Sequence, residues 1–109
     1  MADKPMINIL GQNLANPEDE EQYYKWYHEG HIPEFFKFKG MKSAARYKRI
    51  GDDETVPQYL TIYTFDSLEA RKEYEQSPER AAGMKATGRP DGITASWRGQ
   101  FELIRSWEK

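Results

Sequence analysis

The chain has 109 residues, with 16 Lys and Arg against 18 Asp and Glu, a formal net charge of -2. That length fits one domain over 1–109, and the near-balance of charge gives no electrostatic reason to expect nucleic acid or an anionic membrane as partner. There is no cysteine, which removes disulfides, thiolate metal sites and a cysteine nucleophile and is compatible with a reducing cytosol.

The apolar run Met6–Leu10, flanked by Pro5 and Gly11, is too short for a signal segment or a membrane span and reads as a first strand. The expected location is cytoplasmic. Asn13 to Pro17 is a turn. Asn16, Pro17 and the acids that follow read as a cap, a first-turn proline and carboxylates at the positive end of a helix dipole. The first helix is expected from about Pro17 to Glu29, interrupted by Gly30 and Pro33, with a further turn over Glu34–Phe38. Met41–Ile50 reads as a second strand and Gln58–Phe65 as a third, joined through a polar turn as an antiparallel hairpin. Asp66-Ser67 caps a second helix, Ser77-Pro78 restarts one, and Ile93 to about Trp107 is a last strand with a bulge expected at Gly99.

The order strand, helix, strand, strand, helix, strand is the split βαβ motif, so the fold expected is α+β, ferredoxin-like βαββαβ. Two helices cover one face of such a sheet. Yet Leu60 and Ile62 alternate with Tyr59, Thr61, Tyr63 and Phe65, and Ile93, Ala95, Trp97 and Phe101 alternate with polar residues. An apolar helix-free face calls for a partner, and a second copy of the chain is the simplest one.

The segments Trp26-Tyr27-His28-Glu29-Gly30-His31-Ile32-Pro33, Ala45-Arg46-Tyr47 and Pro57-Gln58-Tyr59-Leu60-Thr61-Ile62-Tyr63 carry a resemblance. Together they resemble the dimeric α+β-barrel superfamily, in particular small EthD-like proteins with a W-Y-x-x-H-x-P helix and A-x-R-Y and P-x-Y-L-x-I-Y strands. The resemblance covers Gln22 to Phe65. It implies two ferredoxin-like subunits joined through their sheets, and a pocket in each subunit between sheet and helices. Relatives of this kind include polyketide cyclases, small-lactone isomerases, cofactor-free monooxygenases of polycyclic phenols, and haem-degrading enzymes. The last type is the least similar, since its pattern wants a histidine on the second helix and none lies between Ser67 and Gly88.

The chain has two histidines, His28 and His31, which share a helix face at i and i+3 but lack a third ligand at motif spacing, so no metal is expected. His31 belongs to the H-x-P element and is the candidate general base. The alternative is that it bonds carbonyls freed at a helix end. Tyr24, Tyr27, His31 and Phe35 follow helical spacing, either as a pocket wall with His28 or as a plain hydrophobic face. Arg46 is placed to hold an enolate or other anionic oxygen, or to meet a carboxylate across the sheet. Tyr63 and Trp97 read as pocket residues or as packing at a dimer interface. Arg71, Lys72, Glu73, Glu75, Glu79 and Arg80 read as the solvated face of the second helix.

Two functions compete. One is a small cofactor-independent enzyme that cyclises, isomerises or oxygenates an aromatic or polyketide-like carbonyl compound, with His31 as base and Arg46, Tyr63 and Tyr24 as donors. The other is a non-catalytic dimeric module that binds a small hydrophobic ligand or assists an oxidative degradation pathway. A His31 that faces a solvent-connected cavity beside a second polar group favours the first. His31 is expected to matter more to ligand than to stability.

Overall fold

The computed structural model describes residues 4–109. Strand β1 (Met6–Leu14) runs on past its apolar run, through Gly11 and Gln12. A 3-10 turn (Pro17–Asp19) leads into helix α1 (Glu20–Lys25), a wide π-helical turn (Trp26–His31) and helix α2 (Ile32–Phe35). The helix is therefore not interrupted at Gly30. In the wide turn the Ile32 amide bonds the Tyr27 carbonyl, five residues back. Pro33, which lacks an N–H, then falls in the first turn of α2, where no donor is needed.

Strands β2 (Met41–Lys48) and β3 (Tyr59–Phe65) form the expected hairpin. Helices α3 (Leu68–Glu75) and α4 (Pro78–Met84) follow, each started by a serine. Ser67 Oγ accepts from the Ala70 amide and Ser77 Oγ from the Arg80 amide, both at 3.1 Å, each worth about 1 kcal/mol. Strand β4 (Ile93–Glu102) closes an antiparallel sheet of order β2-β3-β1-β4. It stops before Trp107, and residues 103–109 continue as an exposed segment.

The period-2 pattern of β3 puts Tyr59, Thr61, Tyr63 and Phe65 under the helices, all buried. Two aromatic-rich clusters form there, one around Phe35, Phe65 and Tyr74, the other around Tyr23, Trp26, Tyr27 and Tyr59. Gly99 pairs regularly with Ile9. The irregularity in β4 lies between Trp97, opposite Gly11, and Ala95, opposite Gln12. The extra residue reverses the alternation, so Ile93 and Ala95 share the helix side while Trp97 and Phe101 lie on the helix-free side. Tyr47, Trp97, Phe101 and Leu103 leave 57%, 45%, 49% and 40% of their surfaces exposed, which makes this face an apolar patch. Among the described residues no helix is long and apolar enough to cross a membrane.

Candidate functional site

Helix α3 packs on β3, and a cavity of about 490 Å³ remains open between the sheet, chiefly β1 and β4, and the helical layer. Its sheet floor carries Asn8, Leu10, Gln12, Arg98 and Gln100, and its helical wall carries Tyr27, His31, Phe35 and Tyr74.

His31 is 6% exposed. Its ring stacks on Trp26 at 4.4 Å and packs against Phe35 at 4.1 Å. Nδ1 lies 2.8 Å from the carbonyl oxygen of Gly83 in α4. A carbonyl only accepts, so Nδ1 carries the hydrogen, and Nε2 of the neutral ring keeps its lone pair. Nε2 has no partner among the described residues, and the ring lines the cavity. Burial lowers the pKa of His31 from 6.5 to about 4, against the raising effect of the Gly83 bond; Arg89, Arg46 and Arg80 lower it further. The ring is therefore neutral at physiological pH.

Gly83 is the residue that sequence reasoning missed here. A Cβ at that position would lie 2.2 Å from a ring carbon of Phe35 and 3.0 Å from the His31 carbonyl oxygen. Only glycine lets α4 come close enough to present its carbonyl to the imidazole. The one hint in the sequence is a glycine inside a short helix, where it is otherwise unfavourable.

Two phenols complete the wall. Tyr27 is fully buried and Tyr63 is 6% exposed. Both hydroxyls are closed off from solvent, and neither makes a hydrogen bond of good geometry among the described residues, although the Tyr27 hydroxyl is near enough to Tyr63 to raise its pKa as a hydrogen-bonding neighbour. Both line the cavity. An unmet buried hydroxyl costs about 1–3 kcal/mol. Burial first, then the neighbouring Tyr27 and Tyr74, push the Tyr63 phenol far above its ordinary pKa, so it stays a neutral donor.

The remaining sequence candidates lie elsewhere. His28 and His31 do not share a site, because the wide turn rotates them apart. His28 Nε2 accepts from Arg46 Nη1 at 3.0 Å, and the ring stacks on Tyr24. Arg46 is committed to the fold: Nη2 donates to Tyr23 at 2.6 Å, Nε donates to Thr61 at 3.1 Å, and the guanidinium lies 3.9 Å over the Tyr27 ring. Among the described residues no carboxylate meets it. Tyr24 donates to Glu20. Tyr24, His28 and Arg46 surround a separate depression of about 150 Å³ that His31 does not reach. Trp97 is on the opposite side of the sheet, carried there by the bulge. Conversely, Arg71 and Arg80 are not simply a solvated face, because both line the cavity, together with Trp26 and Arg89.

Residues 13–102 match the model of a family described as a domain of unknown function, DUF4286. The chain belongs to that family. No curated protein matches this DUF4286 chain. Solved structures that resemble it share the fold at low identity. An ethyl tert-butyl ether d (EthD) family protein from Bacillus halodurans C-125 is 17% identical with a TM-score of 0.66, over 93% of this chain and 99% of that one. A dimeric ferredoxin-like protein of unknown function from Thermobifida fusca YX is 14% identical with a TM-score of 0.63, over 93% and 92%. SnoaB, a cofactor-independent oxygenase from Streptomyces nogalater, is 11% identical with a TM-score of 0.62, over the full length of both chains. The expected ferredoxin-like fold of the dimeric α+β type is thus the fold found.

Proposed function

We propose that this chain is a small enzyme that acts, without a cofactor, on an aromatic or polyketide-like carbonyl compound held between sheet and helices. The observation that carries this is the His31 geometry. Nδ1–H is anchored on Gly83 O at 2.8 Å, and Nε2 is left without a partner beside a cavity that Tyr27 and Tyr63 also line, their hydroxyls buried just beneath its surface. In the step proposed, Nε2 takes a proton from the carbon next to the substrate carbonyl. The C–H electron pair moves into a carbon–carbon double bond, and the carbonyl electrons move to oxygen. A phenol hydroxyl donates to the enolate oxygen formed. The enolate is then reprotonated at another carbon, attacks a second carbonyl of the same molecule, or reacts with dioxygen; these correspond to isomerisation, cyclisation and oxygenation. Arg46 has no place in this step, and Tyr63 takes the donor role.

Support from known structures is at the level of fold, since the oxygenase in that group is only 11% identical. We also propose that the active form is a homodimer joined through the helix-free face, where Tyr47, Trp97, Phe101 and Leu103 are exposed. A structural neighbour is described as dimeric. The low pKa of His31, about 4, favours a second reading, in which the cavity only binds its ligand, because so weak a base moves protons slowly.

Deuterium exchange at the acidic CH2 of 2-tetralone, followed by proton NMR in heavy water, separates the two. The enzyme reading predicts exchange accelerated by the wild-type protein, retained in His28→Ala and reduced at least about a hundredfold in His31→Asn. Acceleration absent from the wild type, or unchanged in His31→Asn, overturns it and leaves the binding module.

A further inference from the structure

Among the described residues the walls of the cavity carry four arginines, Arg71, Arg80, Arg89 and Arg98, and no aspartate or glutamate. The chain as a whole has a net charge of -2, so this is a local concentration of positive charge. Arg71 is paired, with Nη1 2.7 Å from Glu75 Oε1. Arg80, Arg89 and Arg98 form no ion pair among the described residues. They come from three separate places, α4, the α4–β4 connection and β4, and the fold brings them to one concavity. Cations gathered without a counter-charge repel one another, and a concave low-dielectric wall concentrates their field on whatever enters. Beside them the cavity is lined by the aromatic side chains of Trp26, Phe35, Tyr27 and Tyr63.

We propose that the ligand of this cavity is a planar aromatic anion whose ionised oxygen, carboxylate or phenolate, is held by Arg80 and Arg98. This rests on the reading that the cavity is the substrate site, and it narrows the substrate class. A guanidinium fork matches a planar oxyanion and tolerates burial better than an ammonium. The aromatic body then lies against Trp26 and Phe35. The anion has a second consequence: negative charge beside the imidazole offsets the arginine field that weakens His31 as a base, so the correct ligand would activate its own acceptor of protons.

Calorimetric titration at neutral pH tests this with 2-naphthoate as the carboxylate, 2,4-dinitro-1-naphtholate as the phenolate and 2-naphthamide as the neutral isostere. At least one anion is expected to bind ten times or more tighter than the amide; the one that does so names the oxygen group. That advantage should fall to about twofold in Arg80→Gln/Arg98→Gln, with amide affinity unchanged. Should the double variant fold poorly, as read by circular dichroism, Arg98→Gln alone should lose most of the advantage and Arg98→Lys only part of it. An amide that binds as tightly as both anions overturns the anionic ligand and leaves the aromatic cavity standing. An anion advantage that survives the arginine substitutions places the anion elsewhere and also overturns it. If none of the probes binds at millimolar concentration, the substrate-site reading falls, and this inference with it.

Discussion

Replacing His31 separates its two roles. The ring is 6% exposed, wedged between Trp26 at 4.4 Å and Phe35 at 4.1 Å, and bonded to Gly83 at 2.8 Å. His31→Ala empties that volume, at about 2–4 kcal/mol for a buried ring of this size. It also removes the partner of the Gly83 carbonyl, about 1 kcal/mol more, lessened because the Ala86 amide bonds the same oxygen at 3.3 Å. A loss of about 3 kcal/mol lowers the melting temperature of a domain this small by roughly 10–15 °C. The sequence alone suggested a side chain of little weight for stability; its burial and its anchor give it a structural role beside the proposed one as base. His31→Asn keeps an N–H near the Nδ1 position and should lose only about 1–2 kcal/mol, while removing the base entirely. Thermal and urea unfolding by circular dichroism measure both. His31→Ala melting within about 3 °C of wild type would show that the ring is neither packed nor anchored as described.

The same histidine sets a pH dependence. Its folded pKa of about 4 lies below its ordinary 6.5, so the unfolded chain binds the extra proton. Its contribution is fully present above the unfolded pKa and is lost as pH falls from 6.5 toward 4, by about 3 kcal/mol. Among the described residues the titratable and charged groups around it are Tyr27, Arg46, Arg80 and Arg89, with no carboxylate. Urea midpoints at neutral pH and near pH 4 should therefore differ by less in His31→Asn than in wild type. Gly83→Ala puts a methyl 2.2 Å from Phe35 and should cost about 1–3 kcal/mol in urea unfolding. Tyr63→Phe removes a buried hydroxyl that makes no well-formed hydrogen bond among the described residues; its stability should be unchanged or raised by about 1 kcal/mol, while 2-tetralone exchange falls about tenfold. Trp97→Lys/Phe101→Lys places two cations on the helix-free face and should turn a dimer into a monomer by light scattering at micromolar concentration.

Element order was legible because each helix start carries a serine or a proline and each strand an alternating or apolar run. What the sequence hid were small backbone irregularities. The π-helical turn at Trp26–His31 has no side-chain signature, and it is what carries His28 away from His31 and lets Pro33 sit inside a helix. The bulge between Ala95 and Trp97 moves Trp97 to the far side of the sheet, a one-residue shift that alternation alone assigns wrongly. Tyr27, His31, Phe35 and Tyr63 were legible as one layer because helical spacing and strand period converge there, but the spacing left a pocket wall and plain packing both open. Arg80 and Arg98 were not, since an arginine on an amphipathic helix or an edge strand reads as solvated until the fold shows that it borders a cavity. Gly83 could be found only through the close approach it permits.

The central claim, that His31 offers an unprotonated Nε2 to a ligand cavity, is tested most directly by nitrogen-15 NMR of the imidazole near neutral pH. The geometry predicts a neutral ring with its proton on Nδ1 and an Nε2 signal that shifts when 2-naphthoate or 2-tetralone is added, while His28 is unmoved. A His31 protonated on Nε2, or an Nε2 signal unaffected by every aromatic probe that binds, would contradict it.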